Sequence, residues 1–211
     1  GEFYVERMTA SAGYMTSLIE DLLTLSRVGR TQTEPETVDL AVVANEVVAG
    51  VQATAPAVSF AVEALPTLFV NGLRARELFT NLVDNAVSHS GRSDLHVTIW
   101  SALTSDGNVA IYVSDDGVGV PEPYRDKIFG IFERLGAHES GQNSGTGIGL
   151  AMCRKIVEQD GGQITVLGPD DDIDPGGRAP AGGATFRIVY PASILRPTQG
   201  AMSIPSHGAS R

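Results

Sequence analysis

The sequence predicts an α/β (α+β) two-layer sandwich, in which a mixed β-sheet carries helices on one face and one long helix precedes it. Two observations support this fold class. Four segments of the 211-residue chain repeat apolar residues at helical spacing, and five shorter segments have the alternation or composition of strands. Two of the strand segments follow each other without a helix between them, which a wholly parallel sheet does not allow.

The composition is that of a folded domain with an acidic surface. Hydrophobic residues make up 42% of the chain and charged residues 19%, which is typical of globular proteins. A net charge of −10 argues against binding to nucleic acid or to an anionic membrane, because both attract basic surfaces. A single cysteine, Cys153, excludes an internal disulfide framework and favours the reducing cytoplasm.

The first predicted element is a helix over residues 4–29 that ends at Gly29. Its apolar seam has near-heptad spacing, so it is either a helix packed on its own domain or half of a helical dimerisation hairpin. The polar residues 30–38, which include Pro35, predict a linker. The opening residues 1–3 resemble an expression scar, and we expect the chain to be a fragment of a longer protein. The seam consists of Met8, Met15, Leu18, Leu22 and Leu25.

The remaining elements form one predicted domain over residues 39–192, followed by a flexible tail over 193–211. Asp39 is the expected N-cap of the first helix, since its carboxylate suits the free N–H groups there. The glycine-rich residues 120–146 predict a lid, because they are too many for an ordinary loop. The order is a helix at 39–53, a strand at 59–65, a connection over 66–74, a helix at 77–90, a strand hairpin at 96–103 and 108–116, a helix at 149–162, strands at 163–169 and 184–191, and between these two strands a solvated excursion over 170–183.

The helix at 77–90 carries two asparagines on one face of an otherwise apolar pattern. Asn81 and Asn85 are four residues apart, and Ser88 and His89 follow one turn later. Asparagine is a poor interior helix residue, because its amide competes for backbone hydrogen bonds. Amide oxygens are hard ligands that suit Mg²⁺ together with phosphates and water. A magnesium site at the edge of the core would explain this face.

Two glycine-rich islands follow, SDDGVGVP at 114–121 and SGTGIGLA at 144–151. In the first, Asp115 can accept a hydrogen bond from an exocyclic amine, and Gly117 and Gly119 allow a flat ligand to approach the backbone. The second precedes a helix, whose free N–H groups attract phosphate. Each island alone is weak evidence for a nucleotide site, since the first is also a common strand exit and the second is not a dinucleotide fingerprint. Their order, with the asparagine face and the lid, predicts a nucleotide pocket.

These motifs resemble those of sensor histidine kinases. ELFTNLVDNAVSHS is similar to their N box, SDDGVGVP to the G1 box, IFGIFERLG to the F box, and GTGIGLAMCRKIVEQDGGQI to the G2 box with its helix. YMTSLIEDLLTLSRVG resembles the second helix of their dimerisation domain. The resemblance covers residues from about 4 to 192 in the family's order. The segments IFERLG in the F box and GGQI after the last helix favour the phytochrome-like branch of the family.

The resemblance implies a Bergerat (GHKL) ATP-binding fold over 39–192, with residues 1–29 as the second dimerisation helix. Asp115 would bind the adenine amine, and Asn85 would hold Mg²⁺. Arg134 of the F box would lie near the γ-phosphate or contact the dimerisation helices. Ser88 replaces a lysine that is common in the family. The other residues expected to contact ATP are Asn81, His89, Gly117, Gly119, Gly145, Thr146, Gly147, Gly149 and Leu150.

The function that the resemblance implies is transfer of the γ-phosphoryl of ATP to a histidine, and then to an aspartate of a response regulator, in a homodimeric full-length kinase. The acceptor motif, a histidine followed by an acid and a proline, is absent, and none of the chain's four histidines has its setting. One alternative is a GHKL ATPase, but such enzymes carry a water-activating glutamate where this chain has Asn81. The other is a nucleotide-responsive binding module without phosphotransfer, which the change at Ser88 leaves open.

Overall fold

The computed structural model describes residues 2–27, 34–92, 94–134, 145–168, 171 and 182–196. Its helices and strands are α1 (Glu2–Arg27), β1 (Glu36–Asp39), α2 (Leu40–Thr54), β2 (Ser59–Val62), β3 (Thr67–Val70), α3 (Gly72–His89), β4 (His96–Leu103), β5 (Val109–Asp115), α4 (Gly149–Gln159), β6 (Gln163–Leu167), β7 (Thr185–Tyr190) and β8 (Leu195–Arg196). Among the described helices, none is long and apolar enough to cross a membrane.

The main sheet has five strands in the order β2-β4-β5-β7-β6. Strands β2 and β4 are parallel, and the other pairs are antiparallel, so the predicted mixed sheet is confirmed. The hairpin between β4 and β5 also forms as predicted, and Gly107 in its turn has a left-handed φ of 81°. A second, three-stranded sheet has the order β1-β3-β8 and is antiparallel.

Helices α2, α3 and α4 cover one face of the main sheet, which confirms the two-layer sandwich. Alternate strand residues such as Ile99 and Ile188 face the helices, where they join Phe79 and Leu82 in one hydrophobic core. Leu82 is fully buried, so its truncation to alanine would cost about 2–5 kcal/mol. The opposite face carries smaller buried contacts, including a stacked aromatic pair, Trp100 and Tyr112, whose ring centroids are 4.9 Å apart.

The helix starts are fixed by polar side chains. As predicted, Asp39 is the N-cap of α2, and its Oδ1 accepts the N–H of Ala41 at 2.9 Å. Helix α3 begins at Gly72, five residues before the predicted start, because Asn71 caps it by accepting the N–H of Arg74 at 3.1 Å. The predicted connection over 66–74 is therefore wrong in part, since it contains strand β3 and the first turn of α3.

The small sheet also corrects two predicted boundaries. Strand β1 lies at the end of the predicted linker over 30–38, and β8 lies at the start of the tail predicted over 193–211. Both strands pair with β3, from opposite sides, and the side chain of Leu195 packs against the core. The chain segments at 28–33 and 197–211 lie outside the described residues, as do 169, the last residue of a predicted strand, and 170 and 172–181 of the predicted excursion.

Helix α1 uses only the C-terminal part of its predicted seam to contact the domain. The side chain of Leu25 is buried, and Leu18 packs against the same core. Met8 and Met15 are 72% and 56% exposed, and Leu22 is 40% exposed, so the rest of the seam faces outwards. The helix thus packs on its own domain at one end while an apolar surface is left uncovered within the described residues.

Cys153 lies on α4 at the centre of the core. Its side chain is fully buried, and its Sγ lies 3.9 Å from the carbonyl oxygen of Leu78 on α3. Burial, followed by the charge of Glu77, raises the pKa of this thiol above its ordinary value. The side chain of Cys153 therefore serves the packing of α4 against α3.

Candidate functional site

The polar face of α3 lies beside the first turn of α4. Asn81 and Asn85 are half-buried, whereas Leu78 and Leu82 on the neighbouring face are buried in the core. A Cβ placed on Gly149, the first residue of α4, would lie 3.0 Å from Oδ1 of Asn81. The structure thus brings the asparagine face and the second glycine-rich island into contact.

Asp115 ends strand β5 and is only 5% exposed. Its Oδ1 accepts two backbone hydrogen bonds, from the N–H of Gly117 at 2.9 Å and from the N–H of Ala184 at 3.2 Å. Burial raises the pKa of Asp115, the two backbone donors lower it, and the neighbouring Asp116 raises it further, so that the net direction is upwards. The carboxyl is therefore fixed in position and costly to ionise without a further donor.

The glycines of the first island are required by contacts within the protein. A Cβ on Gly117 would lie 2.6 Å from Cα of Ser90, just beyond the end of α3, and the N–H of Val118 donates to the carbonyl of Ser90 at 3.0 Å. Gly119 has a left-handed φ of 71°, and a Cβ there would lie 3.1 Å from the carbonyl oxygen of Gly183. The approach of a flat ligand to these glycines stays a prediction.

Gly183 is a site residue that the sequence analysis assigned to a solvated excursion. A Cβ at this position would collide with Oδ1 of Asp115 and with the backbone N of Gly117. Its own N–H donates to the carbonyl of Asp115 at 3.2 Å. The signal that could have revealed it is a glycine two residues before β7, the strand that pairs with the end of β5.

The second island is joined to the F box. Gly145 and Gly147 have left-handed φ values of 74° and 73°, and the carbonyl of Gly147 accepts the N–H of Phe132 at 2.9 Å. Phe132 is itself left-handed at φ 67°, which is a strained conformation for a bulky residue. Ile148 precedes α4, and no side chain among the described residues caps this helix. Its first N–H groups are therefore suited to an anionic ligand.

The predicted lid is anchored in its first half. Ile128 and Phe129, which lie in a short 3-10 turn, are buried, and the guanidinium of Arg154 lies 4.6 Å from the ring centroid of Phe129. This part of the predicted lid is therefore held by core contacts. Residues 135–144 of the lid lie outside the described part of the chain.

The remaining predicted contacts have varied surroundings. Arg134 is half-buried at the end of the described F box, and Leu150 packs against the core from α4. Ser88 and His89 are exposed at the end of α3, where Nδ1 of His89 lies 3.2 Å from the carbonyl oxygen of Asn85. The ring of His89 is thus directed to its own helix.

Thr146, a predicted contact, and His96, one of the four histidines, can also be placed. Thr146 donates its hydroxyl proton to Asp21 of α1, a contact that the sequence did not suggest. His96 begins β4 and is exposed, with Nδ1 2.6 Å from Oγ of Ser59. His138 and His207 lie outside the described residues.

The residues present suit a magnesium ion that is coordinated mainly by phosphate and water oxygens and only in part by the protein. Within the described ranges, no group of three or more histidine, cysteine, aspartate or glutamate side chains could hold a metal. Mg²⁺ is commonly bound by one or two protein oxygens with phosphates and water. The half-buried amide of Asn85 lies one turn after Asn81 on α3 and has an oxygen of the kind that such a site needs.

Comparison with known proteins agrees with this geometry. Residues 70–194 match the family model described as histidine kinase-, DNA gyrase B-, and HSP90-like ATPase. The chain belongs to this family. The matched region includes α3, both glycine-rich islands and Gly183, so the family's domain contains every element that builds the site except α1.

The similar proteins and structures include sensor histidine kinases. The phytochrome-like protein Cph1 of Synechocystis is 28% identical over 163 residues, which are 76% of this chain and 21% of Cph1. The mycobacterial sensor histidine kinase MprB has a TM-score of 0.61 and 26% identity, over 77% of this chain and 99% of that structure. Full-length ShkA in complex with AMPPNP has a TM-score of 0.64 and 26% identity, over 90% of this chain and 38% of that one.

These likenesses confirm that the chain contains a catalytic ATP-binding domain of the histidine-kinase type. The chain spans only about a fifth of the length of curated relatives such as Cph1. The relatives include the phytochrome-like protein Cph1 and also the methanogenesis regulatory histidine kinase FilI of Methanothrix harundinacea, so the phytochrome-like branch stays a prediction.

Proposed function

We propose that the chain binds Mg·ATP as the catalytic domain of a sensor histidine kinase. In the whole protein, the γ-phosphoryl would pass to a histidine on a dimerisation helix, and from there to a response regulator. The observation that carries the proposal is Asp115, a buried carboxylate that is fixed by two backbone donors beside Gly117 and Gly183. A buried carboxylate needs a partner of this kind, and the exocyclic amine of adenine is one.

Adenine recognition follows from how the carboxylate is held. Oδ1 of Asp115 is taken by the N–H groups of Gly117 and Ala184, so Oδ2 can accept the amine proton of the base. Gly183 provides the space that this arrangement needs, since any side chain there would strike Oδ1. The ShkA neighbour was determined with AMPPNP, an ATP analogue, which supports the same ligand here.

The phosphates would lie at the start of α4. Gly145 and Gly147 turn the backbone in left-handed conformations, and the uncapped N–H groups of the helix can donate to phosphate oxygens. Asn85 would hold Mg²⁺, which neutralises phosphate charge when bound. Asn81 lies at the contact between α3 and Gly149, which suits a role in keeping the two elements in register.

The chemical contribution of the domain is positioning and charge stabilisation. Phosphoryl transfer requires little covalent chemistry from the protein, so alignment of the γ-phosphate with the incoming imidazole supplies most of the effect. Arg134, near the end of the F box, would stabilise charge on the γ-phosphate or contact the helix that brings the histidine. The acceptor histidine itself would come from a first dimerisation helix.

An ATPase is the second candidate, and Asn81 argues against it. A water-activating residue must accept a proton, which the amide of Asn81 does not do. A nucleotide-responsive binding module is the third candidate, and the exposed Ser88 is compatible with it.

The test is phosphotransfer from labelled ATP to an added dimerisation domain that carries both helices. We expect the chain alone to bind ATP without labelling itself, and to place acid-labile phosphate on the added histidine. Asn85→Ala, measured in parallel, should bind Mg·ATP weakly and transfer no label. Binding without transfer would favour the binding module, and rapid release of phosphate without transfer would favour an ATPase.

A further inference from the structure

Helix α1 is attached to the ATP-binding domain by contacts near its C-terminal end. Oγ1 of Thr146 donates to Oδ2 of Asp21 at 2.5 Å, across 125 residues of sequence. Nζ of Lys155 on α4 donates to the carbonyl of Leu25 at 2.5 Å. The side chain of Leu25 is buried, and that of Leu18 packs against the same core. Polar and apolar contacts therefore hold the last turns of α1 on the domain.

The residue that Asp21 binds belongs to the proposed phosphate loop. Thr146 lies between Gly145 and Gly147, three residues before the start of α4. A hydroxyl group has one proton and donates it to one acceptor at a time. While the carboxylate of Asp21 accepts this proton, Thr146 cannot donate it to a phosphate oxygen. The docked helix therefore occupies a donor that a triphosphate would use.

The charge of Asp21 acts in the same direction. Its carboxylate lies at hydrogen-bond distance from a loop that would receive a polyanion. The negative charge of Asp21 also acts on Glu77 of α3, which lies one turn before Asn81. Burial raises the pKa of Glu77, the charge of Arg74 lowers it, and the charge of Asp21 raises it further. A triphosphate bound at this loop would meet the repulsion of a like charge.

We propose that the hydrogen bond between Thr146 and Asp21, which we call the latch, lets docked α1 compete with the phosphates of ATP for the same loop. Docking of α1 weakens triphosphate binding, and a bound triphosphate releases the end of α1. The two effects must be equal in free energy, because coupling between two binding equilibria is reciprocal. The inference rests on the proposed function, since it takes residues 145–149 as the phosphate site.

The test compares ATP with adenosine, which lacks phosphates, in calorimetric titrations of the chain and its variants. Asp21→Asn keeps the shape of the side chain and removes its charge, and Asp21→Ala also removes the acceptor. Relief of one partly exposed charge should raise ATP affinity about fivefold in Asp21→Asn, with adenosine affinity unchanged. Glu20→Gln, the same change of charge at the exposed neighbouring residue, is the matched control and should change ATP affinity little.

Hydrogen exchange provides the reciprocal measurement. Exchange over residues 18–25 should rise when ATP is added to the unmodified chain, and adenosine should leave it unchanged. Equal shifts of ATP affinity in Asp21→Asn and Glu20→Gln, a shift for adenosine as large as that for ATP, or unchanged exchange with ATP would each overturn the latch. Those results leave ATP binding itself intact. If the unmodified chain bound no ATP, the latch and the proposed function would both be wrong.

Discussion

Replacing Asp115 by asparagine changes the proposed base pocket with the smallest alteration of shape. In the structure, Oδ1 accepts the N–H of Gly117 at 2.9 Å and that of Ala184 at 3.2 Å. The asparagine amide has one oxygen and one NH₂ group, and the two backbone donors will hold the oxygen. The NH₂ group then takes the place of Oδ2. A donor faces the amine of adenine where the native side chain offers a charged acceptor.

The size of the effect follows from the kind of hydrogen bond that is lost. A hydrogen bond to a charged group contributes about 1.5–3 kcal/mol, which corresponds to a loss of affinity of about tenfold to a hundredfold. The fold should survive, because the asparagine keeps the two backbone hydrogen bonds. It also removes a carboxyl group whose burial raises its pKa and makes its charge costly. ATP binding and folding are therefore expected to separate in this variant.

Titration calorimetry with ATP, together with thermal unfolding, measures both quantities. The matched control is Asp116→Asn at the next position, where Oδ1 accepts the N–H of His96 at the start of β4, at 2.8 Å. We expect near-native affinity for the control and at least a tenfold loss for Asp115→Asn. Native affinity in Asp115→Asn, with normal unfolding, would refute the assignment of Asp115 to adenine.

Three further predictions concern the metal ligand Asn85, the close contact at Gly183 and the pH dependence of binding. Asn85→Ala should weaken binding of Mg·ATP but not of adenosine in calorimetry, because only the metal ligand is lost; equal losses would make Asn85 a structural residue. Gly183→Ala should lower the free energy of unfolding in denaturant by about 1–3 kcal/mol, since its Cβ collides with the side chain of Asp115. Gly50→Ala in α2, where the Cβ meets no atom within 4 Å, should raise it by about 0.5–1 kcal/mol, and the same sign for both would contradict the packing argument. Adenosine affinity should fall as pH decreases through a pKa of Asp115 that lies above the ordinary 3.8, because protonation removes the acceptor. A profile that is identical in Asp115→Asn would assign the pH dependence to another group.

The sequence predicted the elements whose information is local. Strand β4 has the predicted bounds, and α2, α4 and β5 differ from theirs by a few residues, because periodicity, the Asp39 cap and flanking glycines mark them directly. Strands β1, β3 and β8 have at most four residues each and lack enough alternation to be recognised. They are strands because they pair with one another across distant parts of the chain, which no local pattern encodes.

The same distinction applies to the candidate site. Asn85, Asp115 and the glycines of the two islands carry motifs that are visible in the sequence, whereas Gly183 follows a run of polar and glycine residues that indicates only a loop. Its importance comes from contact with Asp115, 68 positions earlier, after β5 and β7 pair. The contact between Asp21 and Thr146 likewise depends on how α1 packs, and helical periodicity alone left two arrangements of that helix open.

The burial of Cys153 has a practical consequence for studying motion in this protein. A thiol reagent cannot reach a fully buried side chain in the folded state, and the raised pKa further suppresses the reactive thiolate. Because it is the sole cysteine, a second one introduced at the exposed Met15 would accept a fluorescent or spin label selectively. The native thiol would react only when the core opens. One molecule could therefore carry a label that reports on α1, while the reaction rate of Cys153 reports independently on global unfolding.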